Sequence, residues 1–372
     1  MPWSPNPASR LAAVAVLTAA LLPVGPAVSA ADVTDLSSQA TLEVVHEGLD
    51  NPRKITWDPL RERLLVAEAG TGGEGPCAPG VGGYPACYGP TGAIFSHTPA
   101  TGASTRVVEG LPSVDNEVTV IGPHGVDVYR GRIHVAFGLA GSLSTRDGIG
   151  DRVLPLGQVA KVGPSTRVFP YGDLAAFEEE HDPHVVELNS NPYGLAVGPS
   201  GTVVADAGGN SVLHVSPRGR VELLALIPDH EVDGGTVEAV PSAVVEGPDG
   251  AYYVSEFSAE EETGTARVWR LTLDGDLELY AEGFTAVNDI TFDHEGRLVV
   301  LEMAAQGLES PDPTGRLVRV EPDGSHVVLA SEGLEHPGGV EITPEGDFYV
   351  TTRSWDLVAE GPGQLVRVST DA

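Results

Sequence analysis

His124 and Tyr193 are the two side chains of this chain best placed to do chemistry. Each sits in a tight Pro/Gly frame, Gly122-Pro123-His124-Gly125 and Asn191-Pro192-Tyr193-Gly194. A histidine titrates near neutral pH and can act as a general base, or it can simply be hydrogen-bonded in place. Tyr193 can stack on a flat ligand or plug a channel. Arg53, in the related frame Asn51-Pro52-Arg53-Lys54, can clamp an anion or pair with Glu68. Asn288 holds the matching place in a later segment. A second set, Glu68, Asp206, Glu256 and Glu302, closes four apolar β-like runs. With Asn288 these oxygens suit a hard cation such as Ca²⁺. Each acid can instead accept N–H groups from the loop that follows it. His181-Asp182-Pro183-His184 has metal-like spacing, but its proline and the preceding Glu178-Glu179-Glu180 suit a solvated loop better than zinc. No serine nucleophile elbow, Walker loop or dinucleotide fingerprint occurs, and no residue is assigned a catalytic role.

These residues fall at equivalent points of a repeat. Asn189 to Pro228 contains four short β-like runs, Leu195–Val197, Val203–Ala205, Val212–Val215 and Val221–Leu226, with turn sequences such as Gly198-Pro199-Ser200-Gly201 between them. Six copies start at Pro52, Pro123, Pro192, Pro241, Asn288 and Pro337. The last copy lacks a fourth strand, and Thr41–Leu49 resembles the fourth strands of copies four and five. The expected fold is therefore all-β, a six-bladed β-propeller of four-stranded antiparallel blades, closed by an N-terminal strand that completes the last blade. Turns between first and second strands are short. Connections between second and third strands are long: Ala69–Gly92, Gly138–Gly157, Phe257–Thr265, Met303–Gly315 and Arg353–Gly363. So is the Pro170–Asn191 link, in which Asp173–Glu180 suits one or two helical turns. In an up-and-down sheet these emerge on one face, where function is expected, and where Arg53, His124, Tyr193 and Asn288 ring the channel mouth.

Arg10, the apolar run Leu11–Leu22 and Val28-Ser29-Ala30 describe a secretory signal peptide over residues 1–30, cleaved after Ala30. Residues 31–40 are expected as a linker and 41–372 as one propeller domain. The protein is thus expected to be secreted and monomeric, with no membrane span. Its formal charge is −32, with 21 Lys and Arg against 53 Asp and Glu. Such a surface repels nucleic acid and suits solubility. Its partner is expected to be a small molecule or an extracellular protein. The two cysteines, Cys77 and Cys87, lie in one Gly/Pro-rich stretch, and an oxidising compartment favours a disulfide between them.

Asp173-Leu174-Ala175-Ala176-Phe177-Glu178 followed by Asn189-Ser190-Asn191-Pro192-Tyr193-Gly194 resembles the ScyD/ScyE family, named for association with scytonemin biosynthesis. The resemblance runs over about residues 40–370. It implies an exported six-bladed propeller akin to NHL-repeat and TolB-like propellers, with no known reaction. The gathering of long loops on one face and the lack of a catalytic constellation point to a binding or scaffold protein that uses that face. Two other families share the general repeat. Asn288-Asp289-Ile290 with Glu302 loosely resembles gluconolactonase-like propellers, which implies a Ca²⁺-dependent lactonase or esterase as the alternative. Gly48-Leu49-Asp50-Asn51-Pro52 and Leu65-Val66-Ala67-Glu68 resemble the opening of quinoprotein sugar dehydrogenases, whose cofactor residues are not matched beyond His124.

Overall fold

A computed structural model describes residues 33–80, 84–185, 188–232, 235–258, 263–355 and 361–370. The expected signal peptide, its cleavage site and the first two linker residues lie outside the described residues. Six sheets of at least four strands each follow one another along the chain, and each runs from its first strand outward. The first strands are Pro52–Asp58, Pro123–Tyr129, Pro192–Gly198, Pro241–Glu246, Val287–Phe292 and Gly339–Ile342. Each packs against the next, and the sixth against the first, so they form the inner wall of a closed ring. This is the six-bladed β-propeller the repeat predicts.

The pattern of burial explains why the sheets stack this way. The second strand of blade five, Leu298–Glu302, is buried at every position. Its alternate side chains point to opposite faces. Leu298 and Val300 join Ala243, Tyr253 and Val268 of blade four, whereas Val299 and Leu301 join Val340, Val350 and Val366 of blade six. A blade therefore has two apolar faces and no solvent side, which is why the strand reads as a continuous apolar run.

Thr41–Leu49 pairs antiparallel with Gly363–Ser369, with Leu42 opposite Val368 and Val44 opposite Val366. The chain's head thus completes its last sheet, as expected. Residues 31–40 are not simply a linker, however. Val33–Asp35 pairs parallel with His326–Val328 and adds a fifth strand to blade five. Three residues carry too little pattern for this to be read from the sequence.

The connection expected over Ala69–Gly92 is partly strand. Pro85–Thr98 and Ala103–Asp115 form a long hairpin on blade one, and Cys77–Pro79 pairs along its edge. Cys77 and Cys87 are register partners in that ribbon and are joined by the expected disulfide. The other connections supply two helices, Leu143–Ile149 and Leu174–His181, the second matching the expectation for Asp173–Glu180. No helix among the described residues is long and apolar enough to cross a membrane.

Candidate functional site

The loop-bearing end of the ring holds a cavity of about 280 Å³. Most of its polar lining comes from the starts of first strands, Arg53, His124, Tyr193, Ser242 and Asn288, and Thr119 and Asn191 add to it from the connections. The first five belong to five different blades, so the ring brings together residues far apart in sequence, including all four expected at the channel mouth. Its apolar lining comes from the connections, chiefly Val118, Val240, Phe257, Leu308 and Trp355.

His124 is the centre of this cavity. It is 1 % exposed and packs against the Tyr193 ring at 4.7 Å between centroids. The carbonyls of Val120 and Pro192 are nearby, but neither ring nitrogen meets a hydrogen-bond partner. Burial first, then the Arg53 charge, holds its pKa well below the usual value, so the imidazole is neutral at pH 7. Gly138 makes room for it: a Cβ there would overlap the His124 ring and crowd Asn191 Oδ1. That amide oxygen is also buried without a partner. A buried polar atom left unpaired costs roughly 1–3 kcal/mol, so two such groups facing one cavity form a docking point for something that can pair them.

Arg53 is positioned rather than free. Its Nη1 donates to the Ser354 carbonyl and its Nη2 to the Val120 carbonyl at 3.0 Å and to Thr119 Oγ1 at 3.2 Å. It does not pair with Glu68, the partner considered from the sequence. Lys54 forms the floor. Its Nζ donates to the Asn288 carbonyl, lies 3.2 Å from Asp289 Oδ1, and sits 5.2 Å from the Tyr193 ring centroid. Asn288 turns its Nδ2 away to the Pro337 carbonyl at 3.1 Å.

The four carboxylates expected around a cation do not converge on one. Glu68 accepts from Asp50 N–H at 2.9 Å and pairs with Arg106 at 2.6 Å. Asp206 accepts from Ser190 Oγ and from the N–H groups of Asn191, Gly208 and Gly209. Glu256 is held by Arg267 and Trp269, and Glu302 by Thr285 N–H and Arg316. Asp206 thus fixes the turn that follows it, Glu68 and Glu302 hold the chain entering their blades, and Glu256 pairs with the neighbouring strand. Among the described residues no group of three or more His, Cys, Asp or Glu is disposed to hold a metal ion. The sequence carried a signal for this role. Arg267 and Arg316 both open third strands, at matching positions opposite Glu256 and Glu302.

The paired motif also has a physical role. Asp173 caps the Leu174–His181 helix through Ala176 N–H at 3.0 Å and takes Arg146 in a bidentate pair at 2.9 and 3.0 Å. Glu178, 2 % exposed, points beneath that helix toward the Gly209 turn, and burial pushes its pKa up to about 7. Asn189-Ser190-Asn191 then runs over Asp206 and delivers Asn191 and Tyr193 to the cavity. His184 faces Asp229 at 3.7 Å rather than joining His181, which bonds the Phe177 carbonyl.

Beyond Lys54 a second cavity of about 340 Å³ opens on the short-turn face. Asp127, Glu246, Asp289 and Glu341 line it. Three of these stitch neighbouring blades. Asp127 accepts from Val197 N–H at 2.7 Å, Asp289 from Val340 N–H at 2.9 Å and Glu341 from Trp57 N–H at 3.0 Å. Desolvation inside the ring pushes Asp127 up to about 6 and Glu341 up to about 7, from 3.8 and 4.5. These two carboxyls therefore hold more protons in the folded protein than in the unfolded chain between roughly pH 4 and 7. Their contribution to stability is expected to fall as pH rises through that window, by roughly 1–3 kcal/mol for Glu341 alone. Urea midpoints of the wild type and Glu341→Gln from roughly pH 5 to 8 check this. A stability difference between the two that does not change with pH would contradict it.

Fold and cavity together define a six-bladed β-propeller with a ligand-sized chamber at its loop-bearing mouth. Solved propellers resemble it. The calcium-binding protein regucalcin from Agrobacterium tumefaciens str. C58 superposes with a TM-score of 0.53 at 12% identity, over 91% of this chain and 96% of that one. A soluble aldose sugar dehydrogenase from Escherichia coli, in its apo-form, gives 0.53 at 14%, over 89% and 99%. A luciferin-regenerating enzyme gives 0.52 at 12%, over 90% and 96%. At these identities the likeness is one of fold alone. No family model matches the chain, and no curated protein matches it.

Proposed function

We propose that this chain is an exported binding protein of the ScyD/ScyE type, which takes up a small, mostly apolar molecule at the loop-bearing mouth. One observation carries the reading. A neutral, buried His124 with two unpartnered nitrogens and the unpartnered Asn191 Oδ1 line an otherwise largely apolar cavity. Small-molecule sites have this character: an apolar wall for affinity and a few polar groups for orientation. The ligand would offer a donor to Asn191 Oδ1 and either a donor or an acceptor to His124, whose tautomer adapts. A Ca²⁺-dependent lactonase lacks support, since the carboxylates it needs are engaged elsewhere.

The test is native mass spectrometry of the purified protein after incubation with culture-medium extract of the producing cells. A bound small molecule is expected, and both His124→Ala and Asn191→Ala should lower its occupancy about tenfold or more. Capture that both variants leave unchanged would overturn the reading.

A further inference from the structure

On the opposite, short-turn face, a groove of about 370 Å³ lies between blades two and three. Its blade-two wall carries Tyr129, Arg130, Arg132, His134, Lys161 and Tyr171. Register accounts for the cluster. Arg132 and His134 alternate onto one face of the second strand, Arg132 opposite Tyr129 and His134 opposite Lys161. The blade-three wall, from Val197 to Thr202 with Pro217, brings no charge.

The charges here are unusual for so acidic a protein. With 53 acids against 21 bases, most cations among the described residues have a carboxylate within reach, as do Arg61, Arg63, Arg106, Arg146, Arg267, Arg297 and Arg316. Arg130, Arg132 and Lys161, like Arg53, Arg152, Arg167 and Arg218, have no carboxylate partner among the described residues, but these three stand together in one groove. Arg130 and Lys161 instead rest on aromatic rings, at 5.2 Å from Tyr129 and 4.0 Å from Tyr171. The register partner of His134, Asp127, uses its oxygens on Val128, Val197 and Thr56. Like charges left side by side repel, and an anion between them would relieve the repulsion.

The groove also holds a hydrogen-bonded histidine. His134 is 5 % exposed. Its Nδ1 is 2.9 Å from Tyr171 Oη, which is 2.7 Å from Thr202 Oγ1. This hydrogen-bond chain can run in either direction; when Thr202 donates to Tyr171 and Tyr171 to Nδ1, the proton of the neutral ring sits on Nε2, and an anion beside Nε2 would select that tautomer. Burial and the charges of Lys161 and Arg132 hold the ring neutral, with a pKa lowered to about 4.

We propose that this groove binds a small oxyanion, the phosphate or carboxylate group of a modest-sized molecule, through Arg130, Arg132, Lys161 and His134 Nε2–H. It is separate from the cavity around His124 and does not depend on what binds there. A long polyanion is disfavoured, because the surrounding acidic surface repels it.

The experiment titrates methyl phosphate and acetate into the protein by calorimetry at fixed ionic strength in a chloride background. Saturable one-to-one binding of at least one is expected, and the stronger arm identifies the group. Arg132→Gln and Lys161→Gln should each weaken it about tenfold, as loss of a charge-assisted hydrogen bond does. Arg152→Gln, at an exposed unpaired arginine outside the groove, should leave it unchanged. Thermal melting confirms that the variants fold. No saturation with either anion, or equal weakening by Arg152→Gln, would overturn the proposal.

Discussion

Asp206→Ala is expected to destabilise the protein by at least about 4 kcal/mol, the scale reached when a buried network is broken. Asp206 has no exposed surface. One of its oxygens accepts from Asn191 N–H at 2.6 Å and from Gly208 and Gly209 N–H at 3.1 and 3.3 Å, and the other from Ser190 Oγ at 2.7 Å. Alanine leaves four donors without a partner around a position that has no exposed surface. Asparagine keeps one carbonyl oxygen for the three backbone donors and is expected to cost about half as much or less. Because Asp206 fixes Asn191, the alanine variant should also lose ligand capture at the mouth. Urea denaturation of both variants measures this. A cost below about 1 kcal/mol for alanine would show that the Asn189–Asn191 segment is held by something else.

Removing all residues before Asp50 is expected to abolish cooperative folding. The last blade would lose the strand from Thr41 to Leu49, and Leu49, 2 % exposed, would leave the cluster it forms with Leu64, Val66, Phe95 and Leu365. The Gly363–Ser369 strand would become an open edge, which invites pairing between molecules. Blade five would also lose its parallel fifth strand. Size-exclusion chromatography with thermal melting decides the matter. A monomer with a sharp, near-native transition would mean that the ring holds without its latch. Leu49→Ala is a milder version, expected to cost about 2–5 kcal/mol.

The sequence revealed the blades because each one obeys a local rule. Apolar runs of strand length bounded by Pro/Gly turns recur at equivalent points, and a missing fourth strand at the tail matched a surplus strand at the head. His124, Tyr193, Arg53 and Asn288 could be placed at one mouth because strand order in a propeller fixes which residues face the axis. What was not legible depended on contacts between copies. Local spacing offers Arg53 as a partner for Glu68, whereas the structure gives it Arg106 from the fourth strand of the same blade. The apolar lining comes from single residues, such as Trp355 and Leu308, in connections that share no pattern. Asn191 was visible within a motif, but its unpaired oxygen follows from where Gly138 lets His124 lie.

Lys54 has a consequence for traffic through the ring. It bonds the Asn288 carbonyl and Asp289, and it rests near Tyr193, so it lies where the two axial chambers meet. The two chambers thus lie back to back on either side of Lys54. On the proposed reading, a guest in the upper chamber would pass Leu308 and Trp355, the latter held by its Nε1–H on the Val118 carbonyl at 3.1 Å. Protons gained by Glu341 in the lower chamber can change how firmly the ring is sewn together without ever meeting that guest.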